Sequence, residues 1–264
     1  MTPGNGHGVR EPTPSGVGET WSPAAVVWFA QAAVEPSTSQ SVLLSPAEQS
    51  MVAVKRQPAD GYRSATARVL LKHLLAQEFG IDPFSVSLLA PEGQGGKPVL
   101  RHGTVAGLAR PLQANVSHAG CQVIVAVTQG ASIGVDVEEH RATDFTGFDR
   151  VALSAQERSV VAILPPAMRA RQRADFWVRK EAVLKASGEG LLRDPAQMDF
   201  AGAGTHSTAV VAGLQPVTVQ LIQAPQGYSA ALAVSGTADV ICHETTFSAT
   251  HIINYATQTW PIRN

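Results

Sequence analysis

Leu153-Ser154-Ala155-Gln156-Glu157 is a helix start that the chain has already used once, as Leu44-Ser45-Pro46-Ala47-Glu48. In both, the serine hydroxyl can cap the first turn. The glutamate three residues on can reach back to the serine's own backbone N–H, which completes a capping box. Pro46 adds a suitable fixed φ at the first helical position. The segments downstream of the two starts repeat as well. After the first start, Arg63 to Phe79 carries Val69, Leu70, Leu74 and Leu75 at helical spacing and ends at Gly80. After the second, Arg169 to Ala186 reads as a helix closed by Ser187-Gly188. Both segments are rich in basic residues, and each half then has an apolar strand after a glycine turn, Cys121 to Val127 and Tyr228 to Val234. Caps and short apolar strands also recur by chance, so it is their shared order that points to duplication. It implies two similar α+β halves joined near Gly130, with a cleft between them of the kind that often holds ligands.

The expected boundaries are a disordered tail over 1–20, a first half over 21–130, a second over 131–244, and a tail over 245–264 that is apolar enough to dock. Met1 to Thr20 is rich in Gly, Pro, Ser and Thr and has no apolar signal core. No run of about 18 apolar residues is present, so no membrane span is expected. Charged residues are 16% and the formal net charge is -1, which argues against a strongly basic nucleic-acid binder. Cys121 and Cys242 are the only cysteines, both beside apolar stretches, and read as buried reduced thiols. A soluble cytoplasmic protein is expected.

Two motifs carry the chemistry. Gly134-Val135-Asp136-Val137-Glu138 reads as a strand over Ser132 to Glu138, with both acids on one face and about 6.6 Å apart. At an effective dielectric near 20 such a pair repels by about 2.5 kcal/mol, so a half-buried strand would need a cation nearby. An acidic solvent face is the alternative reading. Further on, Phe176-Trp177-Val178-Arg179-Lys180-Glu181-Ala182-Val183-Leu184-Lys185 sets an acid between two lysines on one helix. An ordinary helical ion pair between Glu181 and Lys185 is the bland account, worth about 0.2–0.5 kcal/mol. If the fold brings Glu181 to the strand, three carboxylates with no paired His or Cys suit Mg²⁺ or Mn²⁺. The lysines would then suit a polyphosphate.

These residues resemble the signature of the 4'-phosphopantetheinyl transferases, best the larger Sfp-like (surfactin-activator) type. Asn115-Val116-Ser117-His118 is similar to that family's Asn-x-Ser-His element, and Gly96-Lys97-Pro98 to its Gly-Lys-Pro loop. Tyr62-Arg63-Ser64 through Leu71-Lys72 is similar to its first-half helix. The ordered elements run from about Ser45 to Val234. The resemblance implies a monomer of two pseudo-symmetric α+β halves, each an antiparallel sheet packed with helices, with the active site in the cleft between them. It implies transfer of the phosphopantetheine arm of coenzyme A to a serine of an apo acyl or peptidyl carrier protein, releasing adenosine 3',5'-bisphosphate.

Carried over, Asp136, Glu138 and Glu181 would hold Mg²⁺, and Lys180 and Lys185 would contact phosphates. Arg63 and His118 would hold the ribose 3'-phosphate with Ser117 nearby, Asn115 would belong to the coenzyme A site, and Gly96, Lys97 and Pro98 would line the nucleotide side of the pocket. Glu181 is the first candidate for the base and Glu157 a weaker one; Lys185 would stabilise the leaving phosphate. Glu157 is also explained by its capping box alone, and His118 by a turn. The basic residues that the family often carries after the first Ser-Pro pair are missing from Ala47-Glu48-Gln49-Ser50 unless Lys55 or Arg56 replaces them. The segment Arg158 to Arg173, with Arg158, Arg169, Arg171 and Arg173 beside Val160, Val161, Ile163 and Leu164, would offer a basic and apolar face to an acidic carrier. An ordinary solvated helix explains it equally. A non-catalytic coenzyme A or carrier binder and a metal-dependent phosphohydrolase are the competing functions.

Overall fold

The computed structural model describes residues 24–31, 42–89, 99–102, 110–188, 193–209, 215–236 and 241–247. The expected N-terminal tail, the loop with Gly96, Lys97 and Pro98, and everything past Phe247 lie outside the described residues. The first half runs β1 (Ala24–Gln31), α1 (Pro46–Ala53), α2 (Pro58–Phe79), β2 (Val86–Leu89), β3 (Val99–His102), β4 (Leu112–Ala119) and β5 (Gln122–Gln129). The second runs β6 (Ile133–Glu139), α3 (Phe148–Ala152), α4 (Ala155–Ile163), α5 (Pro166–Ser187), β7 (His206–Ala209), β8 (Val217–Ile222) and β9 (Tyr228–Ser235), and β10 (Ile241–Phe247) comes last.

The repeat is visible in the hydrogen bonds. Both capping boxes form, Ser45 with Glu48 and Ser154 with Glu157. The long helices α2 and α5 each have 22 residues, start with proline and end at a glycine in the left-handed region, Gly80 at φ 65° and Gly188 at φ 78°. Each also sends one lysine into the core. The Lys72 ammonium stands 3.0 Å from Glu48 and that of Lys180 2.5 Å from Glu157. The second oxygen of each glutamate accepts a backbone N–H, from Leu88 or from Phe200, at 2.9 Å in both cases. A buried ion pair costs several kcal/mol in lost hydration and persists only when its remaining bonding capacity is satisfied. Both halves satisfy it in the same way.

The sheets take the order β10-β1-β5-β4 and β6-β9-β8-β7, with β2 and β3 a separate hairpin. All pairings are antiparallel except that β10 lies parallel to β1, from Ala24 opposite Ile241 to Ala30 opposite Phe247. Alternation along the strands produces the layers. Leu70 and Leu74 of α2 share a core with Val123, Val125 and Val127 of β5. Phe176 and Val183 of α5 share another with Val219 of β8 and Ala231 and Ala233 of β9. Between the sheets, Val27, Ile124 and Ala126 meet Val135, Leu232 and Val234. The result is helix, sheet, sheet, helix. Among the described residues no helix is long and apolar enough to cross a membrane.

Three local expectations change. Cys121 is exposed, because it sits on the two-residue turn between β4 and β5 rather than in a strand. His118 is not a turn residue: Asn115 to His118 all belong to β4. Arg158 to Arg173 is not one helix: it breaks at Leu164-Pro165, where a proline cannot continue the hydrogen-bond ladder of α4 and instead opens α5.

Candidate active site

Gly134 explains why the acids of β6 meet α5. A Cβ there would lie 2.0 Å from the carbonyl oxygen of Ala182 and 2.4 Å from the amide nitrogen of Ala186. Both are helix backbone, so only a glycine admits this approach. Period-two alternation puts Asp136 and Glu138 on the same face as Gly134, toward the helix that carries Glu181 and Lys185. Replacing Gly134 by alanine should push α5 off β6 and cost about 2–3 kcal/mol in urea unfolding. Unchanged stability would mean that the helix does not approach so closely.

Asp136 is buried at the centre of the group. Its Oδ1 accepts from the Lys185 ammonium at 2.6 Å and from the Ser117 hydroxyl at 2.7 Å, and Lys185 also donates to Ser117 at 2.9 Å. Asp136 Oδ2 and Glu181 Oε1 are buried and accept no hydrogen bond among the described residues. Burial, with Asp136 as a like charge, pushes the Glu138 carboxyl up to about 7. The same two causes raise Glu181 above the ordinary range, against the pull of Lys185. Glu138 and Glu181 thus each feel the Asp136 charge, and the Lys185 ammonium acts on both. In this arrangement no three His, Cys, Asp or Glu side chains among the described residues form a ready-made metal cage.

The first half supplies the flank. Arg63, on α2, donates to the Gly120 carbonyl at 3.0 Å and pairs with Asp60. His118, on β4, is open to solvent by area, but the surrounding protein still partly desolvates its ring. That desolvation, then the Arg63 and Lys185 charges, holds its imidazolium below the usual range. Ser117, His118 and Arg63 therefore do come to the neighbourhood of Asp136 and Lys185, across the junction of the two halves. Lys55 and Arg56 are exposed beyond the end of α1.

Lys180 is not brought to this group. One residue is about 100° of helix rotation, so with Glu181 facing β6, Lys180 points into the core. There its ammonium donates to the Ala152 carbonyl at 2.7 Å and to Glu157, with no solvent exposure. Glu157 is equally buried, and its oxygens are taken by Ser154 N, Phe200 N and Lys180, which leaves it no substrate to deprotonate. Asn115 is turned away too: its Oδ1 accepts the Val135 N–H at 2.8 Å. Trp177 packs edge-on against Phe148, ring centroids 5.9 Å apart. Sequence reasoning missed a polar row beyond Glu138. Ser229, opposite it on β9, donates to Asp175 and contacts His140 at 3.1 Å. Strand pairing places Ser229, and Asp175 reaches it from α5 and His140 from just past β6, contacts of which sequence spacing carries no signal.

Residues 132–233 match the family model of the 4'-phosphopantetheinyl transferase superfamily. No curated protein matches the chain. The superfamily match runs from the start of β6 into β9, so it holds Asp136, Glu138, Lys180, Glu181 and Lys185 but not Arg63, Asn115, Ser117 or His118. The second half is similar to transferases that use coenzyme A and a divalent metal to modify carrier proteins.

Proposed function

We propose that the chain is an Sfp-like transferase that moves the phosphopantetheine arm of coenzyme A to a serine of an apo acyl or peptidyl carrier protein. One observation carries the reading: within the superfamily match, Asp136 and Glu181 keep buried carboxylate oxygens without partners, beside a Glu138 carboxyl pushed up to about 7. Such a donor set fits a small hard cation. Asp136, Glu138 and Glu181 would hold Mg²⁺ or Mn²⁺, which when bound supplies positive charge against the pyrophosphate of coenzyme A.

The chain's own residues divide the remaining work. Arg63 and His118 face the ribose 3'-phosphate, with Ser117 beside them; a dianion there would draw a proton onto the depressed His118. The carrier serine oxygen attacks the phosphorus next to pantetheine as the bond to the 5'-phosphate of adenosine 3',5'-bisphosphate breaks. Glu181 takes the serine proton, a role suited to a carboxyl held above its usual range. Lys185 neutralises the departing phosphate.

For carrier docking, exposure favours two of Arg158, Arg169, Arg171 and Arg173. The Arg173 guanidinium is committed to Asp149 and Asp144, Arg169 donates to the carbonyls of Leu164 and Ala162, and Arg158 donates one N–H to the carbonyl of Leu153 at 2.7 Å. Arg158 and Arg171 are exposed, and apolar Ile163 and Met168 at the α4–α5 turn are exposed as well, a combination that suits an acidic partner with an apolar patch.

The direct test incubates the protein with Mg²⁺, coenzyme A and apo carriers of the fatty-acid, polyketide and peptide types and weighs each carrier. A gain of one arm on its serine is expected. Coenzyme A binding without any gain would leave a binding module, and carrier-independent breakdown of coenzyme A a phosphohydrolase.

Glu138 also sets a pH dependence. Its folded-state value lies above its unfolded one, so between about 4.5 and about 7 the folded chain binds more protons and stability falls as pH rises. A bound cation reverses that penalty. Mg²⁺ should therefore raise the melting temperature more at pH 8 than at pH 6; an equal or opposite effect would remove Glu138 from the metal site.

A further inference from the structure

We infer that Asn115 is a positioning residue of the transfer site: it fixes the acidic strand of the second half against the first. The inference rests on the transferase reading of the Asp136 cluster. Among the described residues β6 pairs only with β9, and its other edge lies against β4 without a ladder between them. The backbone N–H of Val135 is therefore a buried donor that its own sheet leaves unused, and such a group needs a partner. The Asn115 carboxamide oxygen is that partner, at 2.8 Å, from a side chain only 4% exposed. Two residues along β4, on the same face, Ser117 donates to Asp136 Oδ1 at 2.7 Å. Asn115 and Ser117 thus grip consecutive residues of β6, one by backbone and one by side chain.

The grip matters because the site is assembled across the junction. Arg63 and His118 belong to the first half, whereas Asp136, Glu138, Glu181 and Lys185 belong to the second. A slip of β6 along β4 would move the carboxylates relative to the cations while leaving each half intact. Outer-shell hydrogen bonds of this type typically change activity or metal affinity by about 10- to 100-fold.

The test compares wild type with Asn115→Leu, which keeps the branched shape and removes the acceptor. Three readings are taken: transfer kinetics, coenzyme A affinity by calorimetry, and amide hydrogen exchange. A positioning role predicts a kcat lowered by about 10-fold or more with coenzyme A affinity within about 3-fold, and faster exchange at Val135. A direct ligand role predicts the reverse, weakened coenzyme A with kcat retained, and would overturn the inference, as would unchanged kinetics. Should Asn115→Leu not fold, Asn115→Ser, which leaves room for a bridging water, carries the same comparison. If wild type transfers nothing to any carrier, the transferase reading falls by itself. Exchange then still decides whether Asn115 holds β6: protection of Val135 retained in the variant would end the idea.

Discussion

Glu181→Gln should lower the rate of carrier modification by at least about 10³-fold, the scale set by losing a general base and a charged ligand together. The fold should not suffer. Glu181 is raised by burial and by Asp136, so its ionised form is a strain on the native state, and a neutral isostere relieves it. The variant's melting temperature should equal or exceed that of wild type, the usual pattern where a site holds charge at the expense of stability. This pairing of readouts separates a chemical role from a structural one. Near-normal turnover would remove Glu181 from the reaction. A large fall in melting temperature would mean that its carboxylate has a partner in the core.

Lys180→Met should give the opposite pattern, a loss of stability first. Its ammonium and the Glu157 carboxylate are fully buried and bonded to each other. Removing one partner strands the other's charge, which costs about 3–5 kcal/mol. For a chain of this size that lowers the melting temperature by about 10 °C. The double variant Lys180→Met with Glu157→Leu removes both charges and should regain much of the loss, because an apolar pair of similar volume replaces an ion pair at little or no net cost. A phosphate-contacting Lys180 would behave otherwise: stable alone, weak for coenzyme A, and not rescued by the change at Glu157.

Range separates the features legible in the sequence from those hidden in it. Capping boxes, proline starts and glycine stops are local, and Ser45, Glu48, Ser154, Glu157, Gly80 and Gly188 all do what their neighbours imply. The acids of β6 were legible as a pair because a strand alternates. The direction of Lys180 was hidden because adjacent helical residues look alike in a motif and differ by about 100° in space. A signal existed: Lys72 stands at the same place after Pro58 as Lys180 after Pro166, and each could pair with its half's capping glutamate. The course of β10 left none. It passes from the second half to the edge of β1 and pairs there in parallel, a contact across most of the chain with no local pattern. The hydrogen bond between Asn115 and Val135 is hidden for the same reason.

If one site splits coenzyme A only by handing its arm to a carrier serine, the two products must appear together. Stoichiometry measures this most directly, with adenosine 3',5'-bisphosphate and carrier mass followed in one reaction. One nucleotide should be released per arm gained, none without carrier, and none of either with Glu181→Gln. Nucleotide released without a modified carrier, or a carrier unchanged while coenzyme A stays bound, would contradict the proposed transfer.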